Sequence, residues 1–302
     1  LHWRPATTPA AVAGDDAGQV ELNDSFRFVS PIGTQLHVAG VGRKKPWEYP
    51  STAIIPHLNT PDYLRVLIDL LRLQTLPPYI VVVDTGSPFS VCDELEQLRS
   101  EDVEIHFVRA GAYSHTSEPV CVALDLGFAR ANTPLIFLTH TDCFPLKKNA
   151  LEWLGGQCNE AVPVVGWEMS ERSWITEDWK GMVSHTFTML HAATMRRIGA
   201  TWHMGRARDQ LGVPAGYRND GWPDTETAFA YCLRAAGVRV QLLGREVNYQ
   251  RQITEWWDHG RSLTGTKLYS KGTSQGDATA AYAGDALADA KARALVWSQH
   301  GR

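Results

Sequence analysis

Short, uninterrupted apolar runs separated by helical patterns constrain this chain more than any other feature. Residues 79–83 read YIVVV and residues 134–139 read PLIFLT. A strand that is apolar at every position has no face to offer water. It must be covered on both sides, as a strand is inside a parallel sheet between layers of helices. Residues 52–55, 103–108 and 162–165 are shorter runs of the same kind. After the first of them, Asn59-Thr60-Pro61 places a capping residue before a first-turn proline, which starts a helix. Leu64, Leu67, Ile68 and Leu71 follow at helical spacing, and Pro77 and Pro78 end the segment. Helices are also predicted over 91–99, 118–131, 146–154 and 222–237. Strands alternating with helices make an α/β fold with a mainly parallel central sheet flanked by helices, right-handed in its crossovers. Ligands bind such sheets beyond the carboxyl ends of the strands. The chemistry is therefore to be sought in the loops after Ile55, Val83 and Thr139.

Composition narrows the function. The 302 residues are 44% apolar and 21% charged, with a formal net charge of -4. That is ordinary globular material and excludes a protein that coats a nucleic-acid backbone. The five cysteines are odd in number, widely spaced and without a C-x-x-C pair. This argues against a disulfide scaffold or a zinc ribbon and for a reducing, cytoplasmic setting. No apolar run approaches the ~18 residues of a membrane span, so no transmembrane segment is expected; peripheral membrane contact stays open. Three parts are expected: an N-terminal arm over 1–50, a main domain over 51–260, and a tail over 261–302 that carries an Ala-rich helix.

Each chemical loop has two readings. Asp84-Thr85-Gly86-Ser87 ends a buried strand. Asp84 either presents an acceptor to a ligand N–H or caps an ordinary strand-to-helix turn. His140-Thr141-Asp142 follows PLIFLT, and the histidine and the carboxylate are two apart. A carboxylate oxygen and an imidazole suit a divalent cation, or the pair caps the sheet edge and the next helix. Asp224-Thr225-Glu226 opens a helix whose buried face is Phe229, Cys232, Leu233 and Ala236. These acids either project into a cleft or offset the helix dipole.

Taken in order and at these separations, the loops resemble family 2 glycosyltransferases of GT-A type. The stretch TAIIPHLNTPDYLRVLIDLLRLQTLPPYIVVVDTGSPFS (52–90) resembles that family's opening, PLIFLTHTDCFP (134–145) its Asp-x-Asp segment, and WPDTETAFAYCLRAAGVRV (222–240) its acidic helix start. The resemblance covers about 52–245. It implies a GT-A-like, Rossmann-like fold with a C-terminal helical extension and a metal-assisted, inverting transfer. The sugar would move from a nucleoside-diphosphate sugar, with UDP the first choice, to a hydroxyl of a sugar or glycan acceptor. Pro56, Asn59, Asp84 and Thr141 would then lie on the nucleotide, with Asp84 on the base, and Asp142 and His140 on a Mn2+ or Mg2+ ion. Asp224 would be the general base, with Trp222 and Glu226 on the acceptor.

The pattern departs from the family in places. His140 stands where the first Asp of Asp-x-Asp is usual, Thr85 where a second Asp is common, and Pro223 where Glu often precedes the base. His259 is the candidate third metal ligand; its other reading is a loop histidine beside Trp256 and Trp257. Trp256 and Trp257 are either acceptor-stacking platforms or core. A dinucleotide-binding oxidoreductase, a P-loop enzyme and a Ser or Cys hydrolase all lack their glycine motifs here. The rival reading is a GT-A-like module that binds sugar or scaffolds without catalysis, suggested by the substituted metal motif and Pro223.

Overall fold

The computed structural model describes residues 44–108, 118–168, 182–203, 225–246, 251–260 and 274–299, with only the backbone for 225–226 and 274–283. Its main sheet has seven strands in the order β3-β2-β1-β4-β7-β6-β8. These are β1 (Ser51–His57), β2 (Tyr79–Asp84), β3 (Val103–Phe107), β4 (Leu135–Thr139), β6 (Val164–Glu168), β7 (Phe187–His191) and β8 (Val240–Arg245). The helices are α1 (Pro61–Arg72), α2 (Phe89–Glu96), α3 (Glu118–Arg130), α4 (Ala150–Gln157), α5 (Ala192–Arg197), α6 (Thr225–Ala235) and α7 (Ser274–Gln299). The sheet is mainly parallel and flanked by helices, as the α/β reading expects, and α7 supplies the expected C-terminal helix.

The all-apolar strands lie where their patterning requires. Every residue of β2 is buried, as are Ile136 to Leu138 of β4. Helix α1 buries Leu64, Leu67, Ile68 and Leu71, the stripe predicted from spacing, and also Tyr63, Val66 and Leu70. Each such side chain contributes about 1.5–3 kcal/mol when fully removed from water. On the other face, α3 comes so close to β1 that a Cβ on Gly127 would sit 2.3 Å from Ile54 Cγ2.

Two elements differ from expectation. Strand β7 runs antiparallel to both of its neighbours, β4 and β6. Its sequence, FTMLH, is buried at four of five positions, so it looks like any covered strand and its direction is invisible locally. The helix expected over 146–154 begins only at Ala150. Before it, β5 (Cys143–Pro145) pairs antiparallel with β10 (Trp257–His259), which pairs with β9 (Gln252–Ile253) in a small second sheet. The Leu146 N–H donates to the Trp256 carbonyl at 2.8 Å, which holds this stretch extended. Among the described residues, no helix is long and apolar enough to cross a membrane.

Candidate metal and ligand site

The chain runs β1, β2, β3 outward on one side and then returns to place β4 on the other side of β1. The strand order reverses between β1 and β4, and beyond the carboxyl ends of strands at such a reversal is where sheets of this kind bind ligands. The loops after β1, β2 and β4 meet there.

The first two loops are tied by a closed hydrogen-bond relay. Asp84 Oδ1 accepts from the Gly86 and Ser87 amides at 3.1 and 2.9 Å. Its Oδ2 accepts from His57 Nδ1 at 2.7 Å and from the Ser87 hydroxyl. The Thr60 N–H donates to His57 Nε2 at 3.2 Å, so that nitrogen carries no proton and Nδ1–H is the donor to Asp84. Ser87 Oγ in turn accepts from the Asn59 amide at 2.7 Å. Gly86 takes φ 121°, a left-handed geometry that glycine adopts without a Cβ penalty. Burial pushes the Asp84 carboxyl up, but hydrogen bonds from His57 and Ser87 outweigh it and hold it below its ordinary value. The sequence offered Asp84 either to a ligand N–H or to its own turn. In the structure its acceptor positions are all engaged by the chain.

The third loop joins through Thr60. This residue caps α1 by position but makes no side-chain cap; its hydroxyl donates instead to Thr141 Oγ1 at 3.1 Å. Both threonines are buried. Pro56, half-buried near the end of β1, lies opposite Val83.

Beyond Thr141 the character changes. Asp142 is 4% exposed and His259 is 2% exposed. Strand pairing brings them together: His259 lies opposite Cys143, and the Gly260 N–H donates to the Asp142 carbonyl at 2.9 Å. His259 Nε2 then faces Asp142 Oδ1 at 3.3 Å. The rings of His140 and His259 stand nearly perpendicular with centroids 5.4 Å apart. One ligand atom from each of His140, Asp142 and His259 falls within 4.8 Å of the others. Among the described residues, the buried Asp142 Oδ2 and His259 Nδ1 find no hydrogen-bond partner. Buried polar atoms are nearly always satisfied, so these two mark a place for something the chain does not supply. A divalent cation fits: the donors are one carboxylate oxygen and two imidazole nitrogens, converging from the β4–β5 loop and from β10. Burial alone would raise the Asp142 carboxyl, yet the imidazoles, His259 foremost, hold it down to about 2. Burial raises the adjacent Cys143 thiol well above its usual value, so it brings no negative charge.

His185, a residue the sequence did not single out, packs its ring against His140 with centroids 4.6 Å apart. It sits just before β7, whose Phe187 pairs with Thr139 of β4. No motif surrounds it, and only the unforeseen β4–β7 pairing brings it to the site.

The two tryptophans beside His259 part company. Trp257 is fully buried and meets Trp167 edge-on at 5.5 Å, so it is core and not an acceptor platform. Trp256 stacks on Trp153 at 3.8 Å, with the Lys147 ammonium 4.2 Å from its ring centre. Asp224 and Trp222 lie outside the described residues, as does the side chain of Glu226; helix α6, which they open, is in place from Thr225.

Helix α7 braces the strand that carries His259. Arg251 bridges Asp258, which is 1% exposed, and Asp289 of α7. Arg293 Nη1 donates to the Pro145 carbonyl of β5 at 3.3 Å.

No protein-family model matches the chain, and no curated protein sequence matches it. Solved structures resemble it distantly. S. aureus TarS is 13% identical, with a TM-score of 0.44 over 68% of this chain and 36% of that one. The mannosyltransferase PcManGT from Pyrobaculum calidifontis, in complex with GDP-Man and Mn2+, is 16% identical, with a TM-score of 0.43 over 86% of this chain and 80% of that one. Glucosyl-3-phosphoglycerate synthase from Mycobacterium tuberculosis is 12% identical, with a TM-score of 0.41 over 66% of this chain and 71% of that one. The chain thus spans little more than a third of the TarS chain it matches. At these identities and scores the likeness assigns no activity.

Proposed function

We propose that the protein is a glycosyltransferase that moves a sugar from a nucleoside-diphosphate sugar to a hydroxyl of a sugar or glycan acceptor, with inversion and with a divalent cation. One observation carries the reading. Just past β4, Asp142, whose buried Oδ2 has no hydrogen-bond partner among the described residues, is gathered with two imidazoles, those of His140 and His259. A crevice at the reversal of strand order suits a nucleotide, and a cation beside it suits a diphosphate.

In this reading His140, Asp142 and His259 hold the cation. When bound, it would offset the negative charge that builds on the departing nucleoside diphosphate. Pro56, Asn59 and Thr141 line the nucleotide side. Asp84 acts there by fixing Ser87 and, through it, the Asn59 amide, so the loop is rigid before a ligand arrives. Asp224, one residue before α6, takes the proton of the acceptor hydroxyl as that oxygen attacks the anomeric carbon and the bond to the diphosphate breaks. Trp222 and Glu226 belong with the acceptor. UDP-sugars are the first donors to try, GDP- and dTDP-sugars the next.

The test is release of nucleoside diphosphate from a panel of sugar nucleotides, with and without simple sugar acceptors. Turnover of one donor, abolished by Asp224→Asn while nucleotide binding persists, supports the proposal. Binding without turnover of any donor favours the non-catalytic module.

A further inference from the structure

We infer that Phe89 and Phe107 form the platform on which the base of the nucleotide stacks. The inference rests on the transferase reading above and names the residues that hold the base.

Exposure and position carry the argument. Among the described residues three aromatic side chains are exposed: Trp47, Phe89 and Phe107. Trp47 precedes β1 and so belongs to the amino ends of the strands. Phe89, 84% exposed, is the first residue of α2, directly after the turn that ends β2. Phe107, 38% exposed, is the last residue of β3 and stands in register with Asp84. It shares a face of β3 with Val103 and Ile105, which pack in one cluster with Val91 and Leu95 of α2. Both rings therefore meet water at one corner of the carboxyl end of the sheet. Single exposed apolar side chains are ordinary, but these two flank one loop at the end where ligands bind.

The turn presents Phe89 in a fixed place. The Gly86 and Ser87 amides donate to Asp84, and the Val91 and Cys92 amides donate to the Pro88 carbonyl at 2.9 and 3.1 Å. A face held still before binding loses little freedom when a ligand arrives. Asp84 is differently placed: its oxygens are taken by His57, Gly86 and Ser87, so reading a base through them would break those bonds. Stacking demands no such exchange, because every base has a flat π face.

Spacing fits as well. One strand, β1, separates β2 from β4, so the ends of β2 and β4 are about 10 Å apart. An extended nucleoside diphosphate bridges such a span, with its base on the rings and its phosphates toward Asp142. The Ser87–Asn59 and Thr60–Thr141 hydrogen bonds lie along that path.

The experiment uses the full chain with Mn2+ and calorimetric titration of UDP, GDP, dTDP and inorganic pyrophosphate, which has the phosphates and no base. Phe89→Ala should weaken the nucleoside diphosphate that the wild type binds by about tenfold and leave pyrophosphate unchanged. Phe107→Ala should act in the same direction by about threefold, and Phe89→Tyr should retain wild-type affinity. Because Phe89 is so exposed, its variants should keep the wild-type urea midpoint. Unchanged nucleotide affinity in either alanine variant, or an equal loss for pyrophosphate, overturns the inference and leaves the transferase reading standing. Binding of no nucleotide by the wild-type chain overturns both.

Discussion

Two buried carboxylates stand at the ends of strands on either side of β1, and the chain treats them in opposite ways. Asp84, ending β2, accepts from His57, from two amides and from the Ser87 hydroxyl. Asp142, just past β4, has one imidazole nitrogen 3.3 Å from Oδ1 and a buried Oδ2 with no hydrogen-bond partner among the described residues. Both are nearly inaccessible to water, at 1% and 4%. A buried acid that is fully hydrogen-bonded holds structure; one left open toward imidazoles is arranged for a partner from outside. In the proposed reading the two sides therefore have different tasks: the chain itself engages the acid on the β1–β2 side, and the acid on the β4–β10 side is left for an ion.

The comparison is broken most sharply by exchanging the effects of the two acids. Asp142→Ala should weaken Mn2+ binding by at least about 100-fold, read by calorimetry, with a smaller loss of stability than Asp84→Ala. Asp84→Ala should instead lower stability by about 3 kcal/mol in urea unfolding, because it strands His57, Ser87 and two amides, and should change Mn2+ affinity little. A large metal effect from Asp84→Ala would erase the distinction.

A subtler test concerns what holds His259. Asp258, its neighbour in β10, depends on Arg251, which α7 shares through Asp289. Arg251→Ala should weaken Mn2+ binding by about tenfold, the size usual for groups that orient ligands. An unchanged affinity would show that strand pairing alone positions the histidine.

The smallest effect is on the acid limb of stability. Asp84 has a folded pKa below its ordinary 3.8, so its contribution is complete above 3.8 and is lost as pH falls through the folded value. The stability difference between wild type and Asp84→Asn should therefore be constant at neutral pH and shrink below 3.8. Asp142 behaves alike in sign in the metal-free chain, with its window running from 3.8 to about 2. Unfolding curves recorded in steps across that range read both.

The receptive side was in part legible in the sequence. Asp142 and His140 announce themselves by following a buried strand; His259 was a candidate only as a third ligand to go with them, and its place beside two tryptophans was the alternative reading. What no local pattern could give is the pairing of β5 with β10, which brings His259 back to Asp142 across more than a hundred residues. The same limit hid His185, because β7 enters the sheet antiparallel and a strand buried on both faces reads alike in either direction. On the rigid side the strands and the α1 stripe could be read from periodicity. For Asp84 the turn-capping reading was legible, since Gly86 and Ser87 lie in its own turn; the contact from His57 was not, because it arrives from β1. Thr60 shows the same effect in miniature: its sequence reads as a helix cap, and its hydroxyl ties two loops together instead.

The most direct test of the central claim is calorimetric titration of UDP, GDP and dTDP into the chain, each with Mn2+ and again with EDTA, for wild type and Asp142→Ala. One of these nucleotides should bind in a manner that requires Mn2+ and disappears in Asp142→Ala. Nucleotide binding that is equally strong in EDTA and in Asp142→Ala would contradict it, leaving the fold and the rigid loop but removing the metal from the crevice.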